Sequence, residues 1–182
     1  MSTNTTPQPS NTRNPDLQTL IGAVQYAIDH ASADRLPHAV GDALRQHANN
    51  PLLLTPAQRE GNDDRYTRHI LFAHPLGHFT MVALIWKPGQ MTPVHGHYTW
   101  CAYSMLAGTL EEQRFDWCSD IDRAVLRSSV THGVGDAVSS HAGLEGVHRI
   151  RNSGDTTAIS IHVYGIDGTR VATHVNRLAE AA

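Results

Sequence analysis

GQMTPVHGHYTWCAYSMLAGTLEEQRF, running from Gly89 to Phe115, sets two histidines two residues apart in a stretch rich in β-branched and aromatic residues. On a strand, positions i and i+2 point to one face, so the imidazoles of His95 and His97 converge. Gly89 and Pro93 punctuate the approach, and Gly108 closes the segment before a second strand-like run, Thr109 to Trp117. The pattern predicts a hairpin that presents two metal ligands. Two imidazoles alone hold a metal loosely, so a third ligand is expected from a distant strand. His148, in the β-like segment GVHRIRN, is the first candidate, and His141, in SSHAGLEGVH, is its rival. The chain carries 13 histidines, and His30, His38, His47, His69, His74, His78, His132 and His174 are expected to be solvated or structural. Arg170 and His174 are candidates for a pocket mouth.

Upstream of this stretch the sequence is helical in character. Residues 1–14 are rich in Thr, Asn, Ser and Pro, the composition of a disordered tail. From Asp16 to about Ala33, Leu17, Leu20, Ile21, Val24, Ala27 and Ile28 recur at helical spacing, and a second helix is expected from His38 to Ala48. Thr55 before Pro56 offers a further helix start. Together residues 15–60 read as a helical cap. From Arg65 onward short strands are expected near 66–73, 79–87, 98–106, 109–117, 123–129, 136–140, 147–151, 157–164 and 170–175, broken by Gly, Pro and Asp turns. Repeated short strands without intervening helices predict a mainly β fold, a jelly-roll β-barrel over residues 61–176, with the N-terminal α-helices completing one domain from 15 to 182.

Thr157 to Gly165, TAISIHVYG, repeats the geometric logic of the histidine pair. Ser160, His162 and Tyr164 share one face, and Ile159, Ile161 and Val163 share the other. Inside a barrel such a polar row forms a relay in which Ser160 orients His162 and His162 holds the Tyr164 hydroxyl. No acidic partner stands in the row, so it is no nucleophilic triad.

Charge and length bound the function. Lys and Arg number 14, Asp and Glu 17, and the net charge is −3. No basic surface advertises nucleic acid or membrane, which favours a small-molecule role. A polar N-terminus without an apolar core, and no apolar run near 18 residues, give the expectation of a cytoplasmic protein. Two cysteines, Cys101 and Cys118, are too few to argue for a structural disulfide, and Cys118 is expected to be inert. Three imidazoles would suit zinc or iron alike.

The spacing G-x5-H-x-H-x3-C-x6-G, from Gly89 through His95, His97 and Cys101 to Gly108, resembles the first conserved motif of the cupin superfamily, where Glu commonly stands in place of this Cys. H-x3-N from His148 to Asn152 resembles the end of the second, although the stretch from Gly135 to His148 is two residues longer than usual and lacks the expected Pro. With Cys101 at that place the chain resembles the thiol dioxygenases of the cysteine dioxygenase type I family, and the context HGHYTWCAY is similar to bacterial members. The resemblance spans about residues 60–175 and implies a cupin barrel with Fe(II) held by His95, His97 and His148. Ser160, His162 and Tyr164 match the family's polar row. Tyr66-Thr67-Arg68 matches its YTR segment, which implies Arg68 as clamp for the substrate carboxylate and Tyr66 as a pocket residue. Relatives that look built for 3-mercaptopropionate carry Gln in place of this Arg, so Arg68 tilts the expectation toward L-cysteine oxidised with O2 to cysteine sulfinic acid. Cys101 corresponds to a residue that, in animal members, joins the active-site Tyr in a thioether; it also suits a small buried thiol lining the barrel. The alternatives are a dioxygenase for 3-mercaptopropionate or another thiol acid, and a non-catalytic metal-binding cupin that serves as a sensor.

Overall fold

A computed structural model describes residues 14–47 and 50–182, so the expected tail falls, apart from Asn14, outside the described residues. Helix α1 (Pro15–His30) starts where the Asn14 side chain accepts from the backbone N–H groups of Asp16 and Leu17, with Pro15 in the first turn. Its buried stripe is Leu17, Leu20, Ile21 and Val24. Helix α2 (Leu36–Arg45) adds Val40, Ala43 and Leu44 to the same core. Two 3₁₀ turns follow, Pro51–Leu53 and Pro56–Arg59, the second closed by a capping box between Thr55 and Gln58. No helix is long and apolar enough to cross a membrane among the described residues.

Ten strands make up the rest: β1 (Thr67–Ala73), β2 (Thr80–Trp86), β3 (His95–His97), β4 (Cys101–Ala107), β5 (Leu110–Cys118), β6 (Arg123–His132), β7 (Ala137–Ser140), β8 (Gly143–Arg151), β9 (Ala158–Tyr164) and β10 (Asn176–Leu178). They form two five-stranded antiparallel sheets, ordered β1-β2-β9-β4-β7 and β10-β3-β8-β5-β6. This is a jelly roll, mainly β with two α-helices among the described residues. Its barrel is open at the edges, since no ladder joins the two sheets among the described residues.

Strand alternation explains how the first sheet serves two cores. Val82, Leu84, Trp86, Cys101, Tyr103, Met105 and Tyr164 face the space between the sheets. Met81, Ala83, Ile85, Ala102, Ile159, Ile161 and Val163 point outward, under α1 and α2. Strands β2 and β9 are therefore buried along their whole length. The helices form a layer on the outer face of this sheet, which frees the inner face to carry chemistry.

The expected hairpin does not form. His95–His97 lies in the second sheet and Cys101–Ala107 in the first, and β4 and β5 likewise part at Gly108 into different sheets. Residues 98–100 make the crossing, anchored by Tyr98 N–H to the Val175 carbonyl and Gly165 N–H to the Trp100 carbonyl. Gly108 turns with φ 66°, and a Cβ there would lie 2.9 Å from Ala158 Cα, so the tight corner demands glycine. The strand expected over 170–175 is a run of turns instead. Asp167 accepts from Thr169 N–H and Oγ1, and the Arg170 carbonyl accepts from Thr173 and His174 N–H, so the backbone bonds locally.

Candidate metal centre

Strand β3 pairs with β8 so that His95 stands opposite His148 and His97 opposite Gly143. Two steps along β3 thus correspond to five along β8, an irregularity that leaves His148 opposite His95. Gly96 fits between the two histidines only because it lacks a side chain: a Cβ would lie 2.3 Å from the Gly143 carbonyl oxygen. Gly96→Ala should push β3 away from β8, costing about 1–3 kcal/mol of stability and weakening metal retention; a parental Tm and parental metal content would show that the strands tolerate the displacement.

The imidazoles of His95, His97 and His148 each offer one ligand atom, all within 4.8 Å of one another, and their ring centroids are 4.7–5.1 Å apart. All three are buried. His95 Nδ1 lies 2.9 Å from the Pro93 carbonyl oxygen, which can only accept, so this nitrogen carries the proton and Nε2 keeps its lone pair. His148 Nδ1 lies 2.8 Å from Glu112 Oε1 and is held the same way. Burial, followed by the like charge of His148, depresses His95 to about 3 and His97 well below the ordinary histidine range. His95 and His97 therefore offer neutral, lone-pair-bearing nitrogens, and three imidazoles are a donor set that suits a borderline divalent metal such as iron or zinc. His141 is exposed beside His38, with ring centroids 6.4 Å apart, and stands apart from this group.

Across the barrel, β9 lines up its polar row. Trp86 Nε1 donates to Ser160 Oγ at 2.9 Å, Ser160 Oγ lies 2.8 Å from His162 Nε2, and His162 Nδ1 lies 3.1 Å from the Tyr164 hydroxyl. An indole can only donate, so the chain can run Trp86 to Ser160 to His162 to Tyr164, leaving the phenolic hydrogen free for the cavity. Burial, and then the Arg68 charge, hold His162 well below its ordinary range, and burial pushes Tyr164 well above its own, so both groups are neutral. Tyr103 stacks on His162 at 4.8 Å.

Cys101 stands opposite Tyr164 in the β4–β9 register, and its Sγ lies 3.7 Å from both ring nitrogens of His97. Directly opposed residues have Cβ atoms about 4.5–5.5 Å apart. Burial, with Glu112 adding to it, pushes the thiol up to about 12, so it is protonated. Cys118 is free and half-buried.

Arg68 points inward. It lines a small cavity of about 20 Å³ together with Tyr66, Trp86, His97, His148 and Tyr164. Its Nη1 donates to the Val171 carbonyl at 3.2 Å, and its buried Nε has no hydrogen-bond partner among the described residues. Tyr66 stacks on Trp86 at 4.4 Å, which braces the arginine's strand. Tyr66, Arg68 and Asn176 also border an outer cavity of about 490 Å³ lined by Asn62, Val171 and Val175, so the site opens on the side of Arg68. Arg170 and His174 are exposed and line a separate recess with Tyr98 and Thr99.

Sequence reasoning missed Glu112, Tyr103, Trp86 and Asn176. Glu112 did leave a signal: in LEEQRF it shares its strand face with Leu110, and an acid in phase with core positions is buried with partners.

A family model described as Cysteine dioxygenase type I matches residues 60–169. Among solved structures, the chain is similar to a double-stranded β-helix domain protein from Klebsiella pneumoniae subsp. pneumoniae, at 18% identity, 68% coverage of this chain, 92% of that chain and a TM-score of 0.49. It is also similar to a cupin superfamily protein from Desulfitobacterium hafniense, at 14% identity, 59% and 84% coverage and a TM-score of 0.45.

Proposed function

The chain belongs to the cysteine dioxygenase type I family, and from that premise we propose that it is an iron-dependent thiol dioxygenase whose substrate is L-cysteine, converted with O2 to cysteine sulfinic acid. Both oxygen atoms of O2 end on sulfur, and no external reductant is consumed. The observation that carries this reading is the meeting, in one small cavity, of two of the clustered imidazoles with an arginine whose guanidinium makes a single hydrogen bond among the described residues. A guanidinium has five N–H donors, and buried donors want acceptors. A carboxylate would take the vacant ones bidentately.

Iron held by His95, His97 and His148 would supply the one-electron redox chemistry and the Lewis acidity that let O2 react with a thiol, whose sulfur gives up the four electrons that O2 takes. The protein's own part is placement. Arg68 binds the carboxylate end, Tyr66 and Trp86 wall the pocket, and the narrow cavity favours a small thiol acid over a peptide-sized one. Tyr164, fed by the donor chain from Trp86, presents its O–H to whatever occupies the cavity. The row holds a hydrogen bond ready without adding charge, since burial keeps His162 and Tyr164 neutral.

Oxygen consumption measured over a panel of thiols tests the reading. L-cysteine should be consumed fastest, 3-mercaptopropionate more slowly and cysteamine poorly; consumption with none of them would leave a metal-binding sensor. Tyr164→Phe should lower kcat by roughly one to three decades, the span associated with positioned proton and hydrogen-bond donors. His162→Ala should resemble it in steady-state kinetics. Parental kcat in both would reduce the polar row to a structural feature.

A further inference from the structure

We propose that Glu112 is the positioning residue of the metal centre: its carboxylate holds His148 through Nδ1 and thereby sets how tightly the three-histidine cluster binds a divalent metal. The inference rests on the reading of His95, His97 and His148 as ligands.

The two oxygens of Glu112 have divided tasks. Oε1 accepts from His148 Nδ1 at 2.8 Å. Oε2 accepts from His132 Nε2 at 3.0 Å, from Arg114 Nε at 2.8 Å and from Arg114 Nη2 at 2.7 Å. Three donors on one oxygen fix the plane of the carboxylate and leave the other aimed at His148. Strand pairing makes this possible: β5 lies between β6 and β8, so Glu112 reaches His132 on one side and His148 on the other.

The ligand positions are not equally secure. The proton-bearing nitrogen of His95 is tied to the backbone carbonyl of Pro93, which no substitution removes. His148 sits in the irregular part of β8 and depends on a side chain. An ionised acceptor on Nδ1–H fixes the ring's tautomer and orientation and raises the basicity of Nε2. A buried ion cluster kept for the fold alone would be replaceable by apolar residues of similar shape, so the effect on metal separates the two roles.

The test is a Co(II) titration of the metal-free protein against a competing chelator, for the parent, Glu112→Gln and Glu112→Leu. The absorption spectrum of bound Co(II) and the Tm without metal are recorded alongside. Affinity should fall in the order of acceptor strength, Glu, Gln, Leu, with a total loss of about tenfold to a hundredfold, and the Co(II) spectrum should shift as His148 loses its orientation. Variants that melt earlier without metal yet bind Co(II) with the parental affinity and spectrum would make the carboxylate structural and overturn the proposal. Should Glu112→Leu fail to fold, an unchanged affinity in Glu112→Gln overturns it equally. A parent that binds no Co(II) would sink the ligand assignment itself, whereas a parent that binds and a flat series would sink only the role of Glu112.

Discussion

His148→Ala should emerge from purification without iron. The expectation follows from the geometry of the cluster, in which the three ligand atoms lie within 4.8 Å of one another and no fourth protein group joins them among the described residues. Removing one imidazole leaves a pair on β3, and the loss should exceed the roughly 100-fold that disturbing an outer partner can cost. His95→Ala and His97→Ala should behave alike. Elemental analysis after desalting reads the effect, and Tm measured without added metal shows that the fold persists. His141→Ala supplies the contrast, because its exposed ring lies apart from the cluster; it should keep full iron. Normal iron and activity in His148→Ala would dismantle the centre as assigned here.

The parts of this site that a reader of the sequence could find are those encoded within one strand. His95 with His97, and Ser160 with His162 and Tyr164, are each set by an i, i+2 repeat, and the fold brings the members of each set together. What lies between strands was much less legible. The three-residue β3 is too short to announce which sheet it joins, and the crossing at 98–100 depends on backbone bonds to Val175 and Gly165, far along the chain. His148 could be preferred to His141 on its β-like setting, but the irregular pairing that brings it opposite His95 is a matter of register. Glu112 was hidden for the same reason, since its partners His132 and His148 lie 20 and 36 residues away. The three-histidine cluster thus has a carboxylate one hydrogen bond behind His148, where Arg114 balances its charge.

Arg68→Ala should lower kcat/KM for L-cysteine by about 30-fold to several thousand-fold, equivalent to the roughly 2–5 kcal/mol lost when one partner of a buried, hydrogen-bonded charge pair is truncated. A small thiol acid offers little apolar surface, so its carboxylate must supply much of the recognition. The guanidinium is suited to that task because it is underused among the described residues: one bond to Val171, an unpartnered buried Nε, and a place on the wall shared with His97, His148 and Tyr164. Its strand face is fixed by packing, since Tyr66 and Ile70, two residues to either side, pack against the core between the sheets. Cysteamine, which lacks the carboxylate, should be a poor substrate for the parent and should lose little further in the variant, so the penalty is selective and cannot be ascribed to a damaged metal centre. Iron content equal to the parent's closes that comparison. Arg170→Ala should leave cysteine kinetics unchanged, because Arg170 is exposed in a recess that shares no residue with the cavity lined by Arg68. If Arg68→Ala oxidised cysteine as efficiently as the parent, the carboxylate would be bound elsewhere, and the preference for cysteine over other thiols would lose its physical basis.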